Sequence, residues 1–302
     1  MAVSCPAVFA LSSRPWDPSR RFETSWLLPP WALFACRALI TDNRNRNPKD
    51  GPARSLTSQS LYVFTTLFFV LGYLCAHPSA GACAAARRSF SYFTVLTYWG
   101  LGFYFLFAAV HTLTYARRGR PLLDAFPRPL QALHSLLYTT VVTLPWLVTV
   151  VYWGVLHKGP WFAADFEAWR NVSQHALNAA FALFEILVPR TDPPPCLHLL
   201  WLLAILLAYL ALAFLTLATQ GWYTYSFLDH DAVRGRGVVA AYVLGIAVGI
   251  AVTFGVVYAL IWLRRWLTEA KMGMKGKFVE AHGACDVEMR ANEQKDDGQA
   301  FS

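Results

Sequence analysis

The sequence predicts an all-α, polytopic membrane protein, a helical bundle of about six transmembrane helices, and three observations lead there. Of the 302 residues, 56% are hydrophobic and only 15% are charged, where a soluble domain carries roughly a quarter charged residues. The apolar residues gather into runs near 58–76, 91–115, 131–156, 171–189, 196–218 and 238–263, each close to the roughly 17–25 residues that a helix needs to cross the hydrocarbon. The remaining charge lies between these runs and at the two ends, where water reaches it.

In chain order, residues 1–57 read as a cytosolic or interfacial N-terminal segment. Arg14, Asp17, Arg20 and Arg21 interrupt it, so it lacks the basic start and apolar core of a cleaved signal peptide. Within it, an apolar stretch over 31–40 follows Pro29-Pro30. The polar stretch 41–60, with Asn43-Arg44-Asn45-Arg46-Asn47 and Gly51-Pro52, separates it from the apolar run 61–76. Removing that stretch would join the two apolar pieces into one longer first span. It therefore reads as an insertion or a gene-model artefact, while an ordinary polar loop behind an interfacial segment accounts for it equally well.

Residues 58–263 form the six-span membrane domain. Pro145 is expected to kink the third span. Pro189 and Pro193-Pro194-Pro195 mark a tight hairpin between spans four and five. Gly245 and Gly249 give the sixth span a small-residue packing face. Trp99, Trp153, Trp161 and Trp169 fall near the expected interfaces as an aromatic belt. In the tail, 264–302, residues 264–277 are basic enough to lie on an anionic leaflet, and 285–302 have a polar composition suited to disorder.

Charge sets the orientation and the partners. With both termini cytosolic, inner segments hold 20 of the 26 basic residues and outer loops hold 6, as the positive-inside rule favours. The compartment on this basis is an endomembrane, such as the endoplasmic reticulum, or the plasma membrane. The net charge of +8 sits beside apolar runs, which points to anionic lipid headgroups and not to nucleic acid. The six cysteines show no metal-ligand spacing, and Cys75 and Cys83 flank one short loop where they can pair in an oxidising compartment.

Ionisable groups inside a bilayer are costly and so are candidates for function. Span four concentrates them: Asn171, His175, Asn178, Ala182 and Glu185 recur at spacings of four and three, which places them on one helical stripe facing protein or a wet cavity. Such a stripe also serves as hydrogen-bonding glue between helices. Span two carries hydroxyls at Thr94 and Thr97, whose default is a bond back to the preceding turn. Spans two and four begin on the same face. Counting residues puts Thr97 and His175 both roughly 6–9 Å deep, where a hydroxyl and an imidazole can act as nucleophile and base. His111 and His134 fall toward the inner side, with packing roles. Asp229-His230-Asp231 reads as a solvated loop cluster, with no metal and no cofactor expected. Asn171-Val172-Ser173 matches a glycosylation sequon but lies within a helix at the membrane edge.

The stretches Ser173-Gln174-His175-Ala176-Leu177-Asn178 with Phe184-Glu185-Ile186, Val95-Leu96-Thr97-Tyr98, and Gly221-Trp222-Tyr223-Thr224-Tyr225-Ser226-Phe227-Leu228-Asp229 resemble the androgen-induced, androgen-dependent family of multi-span membrane proteins. The resemblance covers about residues 61–263. It implies hydrolysis of fatty acid esters of hydroxy fatty acids, with an intramembrane threonine as nucleophile and a histidine as its partner. Residue by residue these land on Thr97 and His175, with Thr94 competing for the threonine in the alignment. The implied reaction is acyl transfer to Thr97 with His175 as base. Asn171 and Asn178 are candidates to orient the imidazole or hold an oxyanion, and helix glue is the plainer role for each. Glu185 lies too deep for contact with His175 and is expected in a packing or buried-network role, with its protonation left open. The rival expectation is a non-catalytic membrane protein whose polar stripe binds lipid or assembles helices.

Overall fold

The computed structural model describes residue 17, residues 20–38 and residues 59–274. The stretch 41–60 falls outside these residues except for Gln59 and Ser60, and so does the tail beyond residue 274. The described chain is helical, with one isolated bridge between Ser25 and Pro189. Its helices are α1 (Pro30–Ala38), α2 (Gln59–Ala76), α3 (Ala82–Ser89), α4 (Phe93–Arg118) and α5 (Arg128–Val151), followed by α6 (Asp165–Val172), α7 (Asn178–Leu187), α8 (Leu197–Gln220) and α9 (Arg236–Arg265). π turns extend α5 over Tyr152–Leu156, join α6 to α7 over Ser173–Leu177, and extend α9 over Trp266–Lys271.

Among the described residues, five helices are long and apolar enough to cross a membrane: Gln59–Ala76, Phe93–Arg118, Arg128–Leu156, Leu197–Gln220 and Arg236–Lys271. The remaining expected span is helical as well, but it starts at Asp165, earlier than the apolar run, and it is the polar one. Polarity is tolerable there because the helix is surrounded: α7 packs on α5 and α9, and its π turn packs on α4 and α5. At the other extreme, only 17% and 22% of the most apolar windows of α8 and α9 are buried, against 56% for α4. The bundle therefore has α4 at its centre and α8 and α9 at its rim.

The core gathers Val63 and Leu67 of α2, Tyr98, Leu101 and Phe105 of α4, Val142 of α5, Ile186 of α7 and Ile261 of α9. Close approach of α2 to α4 depends on Gly102, where a Cβ would meet Val63 at 3.1 Å and Phe64 at 3.2 Å. Gly119 ends α4 in the left-handed region at φ 67°, its N–H on the Tyr115 carbonyl. Gly249 faces α5, with Leu147 3.4 Å from where its Cβ would stand.

α1 and α2 run one after the other along α4, both antiparallel to it. The Arg117 guanidinium lies over the Trp31 ring and Arg37 reaches Thr112, whereas Val63 and Phe64 meet Gly102 and Phe68 meets Trp99. Twenty-six residues of chain separate Arg37 from Val63, but only ten residues of α4 separate Thr112 from Gly102.

Residues 20–28, expected merely to lie at the interface, are strapped across one end of the bundle. Arg190 donates its N–H to the Thr24 carbonyl at 3.0 Å, Ser25 Oγ donates to the Val188 carbonyl at 2.7 Å, and Trp26 Nε1 donates to the Leu187 carbonyl at 2.6 Å. Arg21 grips Glu269 with both terminal guanidinium nitrogens, at 2.8 and 3.1 Å. The strap and the end of α9 are thus at the same end, as an even number of crossings requires. Arg265 pairs with Asp192 at 2.7 Å. Arg264 corrects the expectation for the start of the basic tail: it turns inward, donating to the carbonyls of Ile186, Pro189 and Thr191. Those carbonyls lie in the last turn of α7 and just beyond it, where no further turn of helix supplies donors. On the opposite end, Cys75 and Cys83 are disulfide-bonded.

Candidate active site

Asn171, Ser173, Gln174, His175, Asn178 and Glu185 are all buried. His175 lies within the π turn, and its Nδ1 is 3.0 Å from the Asn171 carbonyl oxygen. A carbonyl only accepts, so Nδ1 carries the hydrogen and Nε2 is left with a lone pair. The imidazole stacks on the Tyr152 ring, 3.5 Å between centroids and 11° from parallel. The two π turns therefore face each other, and Trp153 Nε1 donates to the His175 carbonyl at 2.9 Å. π turns of this kind widen a helix locally and recur at functional sites.

The two asparagines hold this arrangement together. Asn171 Oδ1 accepts from the Tyr152 hydroxyl at 2.7 Å, and Nδ2 donates to the Glu167 carbonyl at 2.8 Å, which also occupies the sequon residue. Asn178 Oδ1 accepts from Thr149 Oγ1 at 3.2 Å and from the Ala179 N–H at 2.7 Å. Asn171 acts on His175 indirectly, through its own carbonyl and through Tyr152. Ser173 is tied to α2 by a 2.7 Å hydrogen bond with the Tyr62 hydroxyl.

Thr97 is half-buried, and its hydroxyl shares a bond with the Phe93 and Thr94 carbonyls, each at 3.0 Å. It faces a groove between α4, α5 and α8, where Thr140, Pro145 and Tyr209 are among its neighbours. Thr94, one turn earlier, lines a separate cavity of about 190 Å³ together with Tyr152, Tyr209 and Tyr225. α4 and α7 run parallel, as the expected common starting face requires, because both are antiparallel to α5: His111 meets His134 and Tyr104 meets Tyr138, while Tyr152 meets Asn171 and Thr149 meets Asn178. Thr97 and His175 are not hydrogen-bonded. Thr94 is the hydroxyl that shares a cavity wall with Tyr152, behind which the imidazole lies.

Glu185 lies in a buried network. Its carboxylate accepts from Arg37 Nε at 2.9 Å and Nη2 at 2.8 Å, and from the Tyr104 hydroxyl at 2.8 Å. Arg37 also donates to the Phe22 carbonyl and to Thr112 Oγ1. Both members are buried, at 1% and 0% side-chain exposure, so this is an ion pair in the bundle interior. The sequence signal was a lone arginine in the apolar run 31–40 facing a lone carboxylate in span four. His111 and His134 do pack: their rings are 5.1 Å apart, and His134 stacks on Tyr104 at 5.9 Å.

The ligand atoms of Asp229, His230 and Asp231 lie within 4.8 Å of one another. Asp231 is solvent-exposed, and Asp229 Oδ1 accepts its N–H at 3.0 Å, which makes the cluster a turn. Compared with family models, with curated proteins and with solved structures, the chain finds no match.

Proposed function

We propose that the protein is a cofactor-independent, membrane-embedded hydrolase of long-chain lipid esters, with Thr97 as nucleophile and His175 as base. One observation supports this above the rest: a buried imidazole whose Nδ1 is fixed on a backbone carbonyl, which presents Nε2 in the form that accepts a proton. The resemblance around Val95-Leu96-Thr97-Tyr98 and Ser173-Gln174-His175 adds the reaction class.

In this reaction Thr97 leaves its backbone acceptors, its oxygen attacks the ester carbonyl, and its proton passes to Nε2 of His175. The tetrahedral adduct expels the alcohol, which takes that proton, and leaves an acyl-threonine. Water then attacks the acyl-threonine, releasing the acid and returning the proton to Thr97. Catalytic hydrogen bonds are often long or unmade before substrate arrives, and they tighten in the complex.

The test is hydrolysis of a long-chain ester by full-length protein in lipid nanodiscs. Thr97→Ala and His175→Ala should each abolish turnover at unchanged expression, with the double variant hardly worse than either. Thr97→Ser should keep part of the activity. A dead Thr94→Ala beside an active Thr97→Ala moves the nucleophile to the hydroxyl that shares a wall with Tyr152. Turnover that survives His175→Ala removes His175 as the base, and wild-type protein inactive on every ester tried favours the rival, a polar cluster that only joins helices.

A further inference from the structure

A neutral imidazole can carry its proton on either nitrogen, and its ring turns about a broad terminal torsion. A base that presents Nε2 to one hydroxyl therefore depends on whatever fixes both the proton and the plane of the ring. For His175 the proton is set by the Asn171 carbonyl, which accepts from Nδ1 at 3.0 Å. Asn171 stands four residues before His175, at the end of α6 where the π turn begins. That single bond leaves the ring free to pivot about it, so a second contact has to hold the plane.

Tyr152 supplies it. Its ring lies 3.5 Å from the imidazole between centroids and 11° from parallel, so turning the imidazole would drive its edge into the phenol. The same residue holds the acceptor in place. The Tyr152 hydroxyl donates to Asn171 Oδ1 at 2.7 Å, and Asn171 Nδ2 donates to the Glu167 carbonyl at 2.8 Å, so both polar atoms of that amide are engaged. The contacts close on themselves: phenol ring on imidazole, imidazole on the Asn171 carbonyl, Asn171 amide on the phenol hydroxyl. Tyr152 is itself braced, because Trp153 meets its ring edge-on at 5.0 Å and donates to the His175 carbonyl at 2.9 Å. Thr149, three residues before Tyr152, reaches Asn178 at 3.2 Å, so one face of α5 runs alongside the whole π turn.

We infer that Tyr152 is the positioning residue for His175: its ring sets the plane of the imidazole, and its hydroxyl, acting through Asn171, keeps the proton on Nδ1. The effect on turnover rests on His175 being the base of an ester hydrolase, whereas the state of the ring can be read with no turnover at all.

The experiment uses full-length protein in nanodiscs with ring-labelled histidine, read by nitrogen NMR, the His175 signals being those lost in His175→Gln. Wild type should show a protonated Nδ1 and a bare Nε2. Tyr152→Phe keeps the stack and loses the hydroxyl. It should move the two ring signals part of the way toward each other and lower kcat about 3- to 10-fold, the worth of one neutral hydrogen bond. Tyr152→Leu loses the stack as well. It should bring the signals nearer still and lower kcat about 100-fold, the scale of a misplacement of about 1 Å, with KM within about twofold in both variants. A residue that only supports the fold would lower Tm and yield, and leave the ring signals of the surviving protein where they are. Unmoved signals in Tyr152→Phe, unchanged kcat beside moved signals in an active enzyme, or a wild type with its proton on Nε2 would each overturn the inference. Tyr152→Phe decides alone if Tyr152→Leu does not fold. Signals that move as expected in a protein whose wild type cleaves no ester refute only the hydrolase proposal.

Discussion

Replacing Arg37 with methionine tests how the bundle holds its N-terminal helix. Arg37 joins α1 to α7 across the interior through two hydrogen bonds to Glu185 and one each to Phe22 and Thr112. Removing the guanidinium leaves a carboxylate at 0% exposure with the Tyr104 hydroxyl as its one remaining hydrogen-bond donor among the described residues. Leaving one partner of a buried pair uncompensated costs about 3–5 kcal/mol. At about 2–4 °C per kcal/mol for a chain of this order, Tm should fall by roughly 6–20 °C. Glu185→Gln should cost a similar amount by stranding the guanidinium. Arg37→Met combined with Glu185→Met removes both charges and both desolvation costs, so it should return to within about 1 kcal/mol of the native protein. The readout is thermal unfolding in detergent, followed by tryptophan fluorescence and by loss of the monodisperse chromatographic peak. Additive single effects in the double variant, or singles within about 1 kcal/mol of wild type, would show that the pair does not act as one buried unit.

Three further outcomes are expected. Cysteines 75 and 83 should resist maleimide until a reductant is added, and a cysteine placed at Arg234 should react from that same side while tags at both termini report the other; termini on opposite sides would remove one crossing. Because the chain between Arg37 and Val63 exceeds the matching length of α4 by sixteen residues, deleting residues 41–56 should preserve expression and membrane insertion, and loss of folded protein would favour an ordinary loop. Burial first, and then the charge of Asp17, push the Glu23 carboxyl up to about 8 from 4.5, against the opposing pull of Arg20 and Arg37. The folded state then holds a proton that the unfolded chain has released, so stability should fall as pH rises from about 4.5 to 8. Glu23→Gln should flatten that dependence of Tm, and an unchanged slope would place the proton elsewhere.

The membrane bundle was legible because its determinants are local. Long apolar runs, the prolines of the 189–195 hairpin, and a paucity of charge read directly as spans and turns, since a bilayer offers backbone groups no partner outside their own helix. The polar character of span four was equally plain, as was the nearness of Cys75 to Cys83. What the sequence left open depends on which helix faces which. Residue counting sets Thr97 and His175 at matching depth, and only the packing shows that Thr97 faces α5 and α8 while the imidazole stacks on Tyr152 of the extended α5. The counter-charge of Glu185 lies 148 residues away in sequence, and only packing α1 on α4 brings Arg37 to it. The cavity lined by Thr94, Tyr152 and Tyr225 likewise joins four helices and a loop that no window of sequence holds together. Helix formation in a membrane is a short-range decision, whereas the pairing of charges and the shape of a cavity are set by rotations and offsets between helices.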